Sequence, residues 1–308
     1  MGFSEEQVIA ILADVFNTSD PRVIVGIGDD AALVKGSAEQ ILTTDIAVEG
    51  VHFKTEWSSA YEIGRRIAAA NIADVISMNG KCDYLLVAAT LTGKEPLDWI
   101  RDLAQGIADQ AREAGAVVVG GDLARSQVLS IAITAVGSTK KVIQRSGARA
   151  GDSIYLSSLT GWSAAGLEIL SKELSASGAA AANALNEYRA PSLDLHLDFS
   201  QATSMADVSD ALLVQGAQMA RASRVRFEIR LEDIEGAPEF AELSQFATEI
   251  GGNILDWVLQ GGEDHVLLAT GKNLPGFVIG TVLDGEGIAV TKNGGEIKMA
   301  PVSWSHFN

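Results

Sequence analysis

The chain has 308 residues, 47% hydrophobic and 20% charged, which is too long for one ordinary core and too apolar for a disordered segment, so two folded domains are expected. A net charge of −17 opposes nucleic-acid binding, which needs a basic surface, but leaves phosphate ligands open where cations intervene. No apolar run is long enough to cross a bilayer, and the single cysteine, Cys82, excludes an internal disulfide and suits a reducing cytoplasm.

Residues 1–16 place acids early, without a basic start before an apolar stretch; they read as a short amphipathic helix rather than a secretion signal. Short apolar runs ended by Gly, Asp or Ser predict strands at 41–46, 85–91, 116–120, 129–137 and 153–157. Helical spacing predicts helices at 60–78, 96–114 and 163–173, the first with Ile63, Ile67, Ala70, Ile72 and Val75 broadly on one side. The polar, basic stretch 139–151 is the expected domain boundary, giving domains 1–139 and 140–308. Beyond it, helices are expected at 207–222 and 238–250 and a strand at 225–231, with 171–184 a loose helix or loop. Several strand pairs leave no room for a helix between them, so the fold class is mixed α/β, or α+β, rather than a regular doubly wound sheet.

A few acids stand at strand or helix ends beside small residues. Asp29 and Asp30 follow the tight Gly26-Ile27-Gly28 turn. Asp45 closes Thr43-Thr44-Asp45 on a strand, an oxygen-rich group of the kind magnesium accepts. Asp74 lies one helical turn after Asn71 in an apolar stretch, where an unpaired carboxylate is costly and a cap explains nothing. Asp122 follows Gly120-Gly121 at a strand end, and Asp207 and Asp210 flank Ser209 where a helix is expected to begin. Taken singly, Asp29, Asp122, Asp207 and Asp210 read as turn or cap residues. Together the acids make a metal–phosphate site plausible without naming a substrate. The chain has no P-loop and no protein-kinase loop set.

The ordered set Gly26-Ile27-Gly28-Asp29-Asp30-Ala31-Ala32, Thr43-Thr44-Asp45, Gly50-Val51-His52-Phe53, Asn71-Ile72-Ala73-Asp74, Gly120-Gly121-Asp122, Gln144-Arg145-Ser146-Gly147, Asp207-Val208-Ser209-Asp210, Gly261-Gly262-Glu263-Asp264 and the tail Trp304-Ser305-His306-Phe307 resembles the thiamine-monophosphate kinases. Any one of these motifs is weak; the series, running from residue 26 to 307, is specific at least to the wider superfamily of aminoimidazole-ribonucleotide-synthase-like ATP-binding proteins. The resemblance implies a two-domain α/β fold and a homodimer formed through the N-terminal domain, with sites drawing on both subunits. It implies that ATP phosphorylates thiamine monophosphate, with several magnesium ions held by Asp30, Thr43, Thr44, Asp45, Asp74, Asp122, Asp207 and Asp210. By the same resemblance Gly121, Asp122, Arg145 and Ser209 contact ATP, and His52, Glu263 and Trp304 contact thiamine monophosphate. Asp45, Asp210 and Arg145 are the residues expected to matter most for transfer. The acceptor phosphate is already a nucleophile, so the obstacle is repulsion between phosphates, which bound cations screen. Arg145 suits a forked contact to phosphate oxygens and reads equally as a surface residue of a basic linker.

The chain departs from the family pattern at Met78-Asn79-Gly80-Lys81-Cys82, at Leu123-Ala124-Arg125-Ser126, at Pro191-Ser192-Leu193, and at Ala211, which stands where the family usually has Gly. The alternatives are an aminoimidazole-ribonucleotide synthase, a selenophosphate synthetase, a silent nucleotide-binding protein and an acidic structural dimer. The Gly-Asp-Asp turn, the aromatic tail and the intact acid set favour the kinase. A selenophosphate synthetase is disfavoured because this chain has no reactive cysteine or selenocysteine before the first glycine-rich turn.

Overall fold

The computed structural model describes residues 4–27 and 31–299. The chain divides into two compact units, Met1–Ile76 with Gly80–Lys140 and Ser77–Asn79 with Lys141–Asn308.

In the first unit, helix α1 (Glu5–Val15) starts at Ser4, whose hydroxyl accepts from the Gln7 N–H while the Gln7 side chain takes the Ser4 N–H. This reciprocal cap satisfies two donors that a helix start otherwise leaves open. Strands β1 (Val23–Val25) and β2 (Leu33–Val34) form a small antiparallel ribbon. Strand β3 (Gln40–Val48), helix α2 (Ala60–Ser77), strand β4 (Lys81–Leu91), helix α3 (Leu97–Glu113), and strands β5 (Val117–Arg125) and β6 (Ser130–Ser138) follow. The sheet order is β3-β6-β4-β5, antiparallel except for the β4–β5 pair.

Period-two alternation gives this sheet two unlike faces. Ile131, Ile133 and Ala135 of β6 are buried with Ile63, Ile67, Ile72 and Val75 of α2. The other face stays open: Leu42 is 66% exposed, Ile46 57% and Leu86 39%. Helices α2 and α3 cross at glycines, because a Cβ on Gly64 would lie 2.2 Å from the Leu103 carbonyl oxygen and one on Gly106 2.0 Å from that of Tyr61. At the end of α2, Asn79 takes the left-handed conformation (φ 58°), which Asn tolerates well, and its Nδ2 donates to the Lys141 carbonyl at 2.8 Å. The departure from the family pattern at 78–82 is therefore an ordered turn.

The second unit carries strand β7 (Ser153–Leu156), helices α4 (Trp162–Ser171) and α5 (Ala179–Arg189), strand β8 (Ser204–Asp207), helix α6 (Leu212–Ser223), strand β9 (Arg226–Arg230), helices α7 (Leu231–Glu235) and α8 (Phe240–Ile250), a π-helical turn at Asp256–Gln260, and strands β10 (Leu267–Gly271), β11 (Phe277–Leu283), β12 (Gly287–Lys292) and β13 (Gly295–Ile297). Its sheet runs β13-β12-β9-β11-β7-β10-β8, antiparallel except for β12–β9. Ile154, Leu156, Phe227, Ile229, Leu268 and Ile279 are fully buried along its middle strands. Two indole N–H groups find carboxylate partners: Trp257 donates to Glu168 at 2.6 Å and Trp162 to Glu239 at 2.8 Å.

The mixed α/β fold agrees with the sequence reading. Two readings differ. Strand β5 runs on past the two glycines to Arg125, so Asp122 lies inside a strand and not at its end. Asp207 does not begin a helix; it ends the buried strand β8, and the helix starts five residues later at Leu212. The 171–184 stretch resolves into a loop followed by α5.

Cys82 is buried, which pushes its thiol up to about 12, so it is a packing residue and not a nucleophile. Among the described residues no helix is long and apolar enough to cross a membrane.

Candidate active site

In the first unit, β3 and α2 bring three of the expected residues together. The Thr43 hydroxyl donates to Asp74 Oδ2 at 2.6 Å, and the Asp45 N–H donates to Asn71 Oδ1 at 3.0 Å. Asn71 is buried, and its Nδ2 is held by the Ile67 carbonyl at 3.0 Å. Asn71 is thus a bracket that fixes where Asp45 stands, and Asp74 is explained as the acceptor of Thr43. Residues Thr43 and Asp45 point to the helix-covered face; Thr44 points to the other, where its hydroxyl donates to the Ile133 carbonyl at 3.0 Å and accepts from Thr134 at 3.1 Å. The Thr44 hydroxyl is therefore not part of the Thr43–Asp45–Asp74 group.

Asp122 pairs with Ala88 on the open face of β5, at the opposite edge of the sheet from β3. Three strand spacings separate those edges, roughly 14 Å. Within one chain Asp122 does not join Asp45. Gly121 has a structural reason of its own: a Cβ there would lie 1.8 Å from the Val87 carbonyl oxygen of β4. His52 sits in the turn after β3, where Nδ1 accepts the Val48 N–H at 3.1 Å, so the ring proton is on Nε2. Asp30 and Trp304 lie outside the described residues.

In the second unit two loops are stitched together. The Glu263 N–H donates to the Ser209 carbonyl at 2.7 Å and the His265 N–H to that of Val208 at 3.0 Å. This brings Glu263 beside Asp207, Ser209 and Asp210. Gly262 makes the approach possible, since a Cβ there would lie 2.2 Å from the Asp210 carbonyl oxygen. Gln215, one turn into α6 and buried, holds the cluster: its Oε1 accepts the Ala211 N–H at 3.0 Å, and its Nε2 reaches Asp210 Oδ2 at 3.2 Å and Ser209 Oγ at 3.4 Å. The sequence reading missed Gln215; the available signal was a long amide four residues after an uncapped helix start. Ala211 has φ −173°, extended backbone that any residue adopts, so the missing glycine causes no strain. Arg145 is exposed and donates to Gln218 of α6 at 2.9 Å.

Asp264 is buried and points away from this cluster, its two oxygens accepting the Gly161 N–H at 2.8 Å and the Ser163 N–H at 3.0 Å at the start of α4. Burial pushes its carboxyl up to about 7, although both donors favour the charged form. Between about pH 4, where an unfolded Asp ionises, and pH 7, the folded chain holds a proton that the unfolded chain has lost. Stability from this group is complete below that window and falls as pH rises through it, by at most about 1.4 kcal/mol per pH unit. Thermal midpoints measured from pH 5 to 7.5 are expected to drop more steeply in wild type than in Asp264→Asn, which cannot titrate; equal slopes would refute the assignment. The variant is also expected to be less stable at every pH, because its amide turns a donor toward one of the two N–H groups.

Among the described residues no three His, Cys, Asp or Glu side chains form a ready cation cage. The fit to a hard divalent cation rests on other observations. Oδ1 of the buried Asp207 has no hydrogen-bond partner among the described residues, and the gathered side chains offer oxygen donors throughout, the ligand type magnesium takes.

Two family models match the chain: the AIR synthase related protein N-terminal domain over residues 28–139 and the C-terminal domain over 149–293. The thiamine-monophosphate kinase of Aquifex aeolicus is 30% identical over 292 residues, 91% of this chain and 92% of the relative. That of Corynebacterium glutamicum is 32% identical over 261 residues, 79% of this chain and 76% of the relative. The chain belongs to the thiamine-monophosphate kinase family. Its structure matches that of AaThiL complexed with AMPPCP and TMP with a TM-score of 0.80 and 29% identity, covering 98% of this chain and 97% of that one. A hydrogenase maturation protein HypE in complex with ATP matches with a TM-score of 0.72 at 18% identity, which shows a shared fold.

Proposed function

We propose that this chain transfers the terminal phosphoryl group of ATP to the phosphate of thiamine monophosphate, yielding ADP and thiamine diphosphate. The observation that carries the reading is the near full-length likeness to a family member complexed with AMPPCP and TMP. An acceptor phosphate oxygen attacks the γ-phosphorus as the bond to the ADP oxygen breaks, in line, and no general base is needed because the nucleophile is already anionic. Asp45, Asp74 and the Thr43 hydroxyl in the first unit, and Asp207 and Asp210 in the second, are the donors that would hold magnesium; Asp30, Thr44 and Asp122 complete the expected set. Magnesium, when bound, supplies neutralisation of the facing phosphate charges. Gly121, Asp122, Arg145 and Ser209 are the proposed ATP contacts, with the Arg145 fork suited to phosphate oxygens. His52, Glu263 and Trp304 are the proposed contacts to thiamine monophosphate. We place the enzyme in the cytoplasm, which suits the lone reduced thiol.

The active form is proposed to be a homodimer joined through the open sheet face of the N-terminal domain, 1–139. Leu42, Ile46 and Leu86 form an apolar surface there that a monomer rarely leaves wet. Asp122 stands on that same face, as does Thr44, so the proposed pairing would set these two against the partner's open face. Sedimentation is expected to show a dimer that Leu42→Glu with Ile46→Glu converts to a monomer; an unchanged dimer would remove this face from consideration.

The direct assay mixes purified protein with ATP, magnesium and thiamine monophosphate and follows ADP and thiamine diphosphate by chromatography. Matched formation of both, lost without magnesium, is expected. ATP binding without thiamine diphosphate would overturn the reading.

A further inference from the structure

His265 is buried, 4% exposed, and its Nδ1 lies 3.2 Å from Oδ2 of Asp207, itself 1% exposed. The reading of Asp207 as a cation ligand makes its carboxylate the acceptor of this bond, and Nδ1 is then the donor. That bond takes Oδ2, while Oδ1 of the same carboxylate is buried with no hydrogen-bond partner among the described residues. A buried carboxylate oxygen left unpaired is costly, and a polarised carboxylate of this kind suits a cation at its other oxygen.

The backbone around His265 is constrained to put the ring there. Glu263 and His265 both have left-handed conformations, φ 68° and 53°, which non-glycine residues rarely take. Three anchors hold this shape: the Glu263 N–H on Ser209, the His265 N–H on Val208, and the Asp264 carboxylate on the Gly161 and Ser163 N–H groups. A strained segment persists where its surroundings over-determine it, and here its result is one aimed imidazole.

We infer that His265 is a positioning residue: its Nδ1–H holds Oδ2 of Asp207 and so turns Oδ1 toward a divalent cation at the end of β8. The inference rests on the reading of Asp207 as a cation ligand and adds the residue that orients it. Hydrogen-bond partners of ligating groups fix their orientation, and their loss weakens metal affinity by about 10- to 100-fold.

The test measures binding of manganese(II), a paramagnetic stand-in for magnesium, by the intact protein with AMPPCP, with free manganese read by electron paramagnetic resonance and no turnover involved. His265→Phe keeps a ring and removes the donor. His265→Asn keeps a donor near the Nδ1 position and tolerates positive φ. The expected result is at least about tenfold weaker binding at one site in His265→Phe and near wild-type binding in His265→Asn. In an Asp207→Asn background His265→Phe is expected to add nothing further, which a general packing defect would not reproduce. Wild-type affinity in His265→Phe would overturn the positioning role. If His265→Phe fails to fold, His265→Asn decides: wild-type binding supports the role and a tenfold loss overturns it. A wild-type protein that binds no manganese with AMPPCP would instead overturn the cation-ligand reading of Asp207, and the positioning role with it.

Discussion

Asp45→Asn and Asp210→Asn are each expected to lower kcat by about a hundredfold or more at saturating magnesium, with the thermal midpoint little changed. Asp45 is placed by its main chain, through the N–H bond to Asn71 and the pairing of β3 with β6 opposite Ile133. Asparagine keeps that backbone and that volume and removes one negative charge. Asp210 is exposed, and the amide oxygen of an asparagine can still accept from Gln215. Neither change opens a cavity or buries an unmatched group, so the large stability mechanisms are absent. What each removes is one of the negative charges that would hold a cation between phosphates. Asp98→Asn, on the exposed side of α3, serves as a control for lost surface charge. Wild-type kcat in both Asp45→Asn and Asp210→Asn would sink the assignment of these carboxylates to the cation site.

The first unit was legible because its strands are half-buried. Strands β3 to β6 are nine to eleven residues long and each contains an apolar or alternating run, and α2 shows its stripe, so pattern and length agree. The sequence reading joined Thr43, Thr44 and Asp45 in one group; the strand's alternation puts Thr43 and Asp45 on one face and Thr44 on the other. The second unit hid more. Strand β8 is four residues long and wholly buried, Ser-Met-Ala-Asp, with a helix close behind, so a short buried strand read as the start of that helix. Strands β10 to β13 are short and separated by turns at Gly276, Gly285, Gly287 and Gly294, and gave no lasting period. The acids themselves were visible as isolated charges beside small residues. Their pairings were less so: Asn71 stood out only as the neighbour of Asp74, Gln215 left a faint local signal, and the bonds of Asn71 to Asp45 and of His265 to Asp207 span 26 and 58 positions, which no local pattern reports.

Gly262→Ala is expected to cost about 1–3 kcal/mol and to lower kcat/KM by about a hundredfold, although alanine is the smallest change available. Gly262 is not among the glycines with positive φ, so the backbone itself accepts alanine. The cost is steric: the new Cβ would meet the carbonyl oxygens of Asp210 at 2.2 Å and Ser209 at 2.6 Å, both main-chain atoms that cannot rotate away. One loop must move. If the 261–265 segment yields, the Glu263 bond to Ser209 and the His265 bond to Val208 lengthen, and the imidazole leaves Asp207. If 208–210 yields, Asp210 and Ser209 shift off Gln215. Either way the residues proposed to face ATP and cation move by an amount comparable to the overlap, about 1 Å, and displacements of that size cost about two orders of magnitude in rate. Gly236→Ala supplies the contrast, because its Cβ would find the nearest atom at 3.5 Å, ordinary contact, on a helix end of the same unit. Activity and thermal midpoint measured on both variants separate the two accounts. A Gly262→Ala protein as active as Gly236→Ala would mean that the two loops are not held in register by their closeness, and that the cluster of Asp207, Ser209, Asp210 and Glu263 owes its geometry to something else.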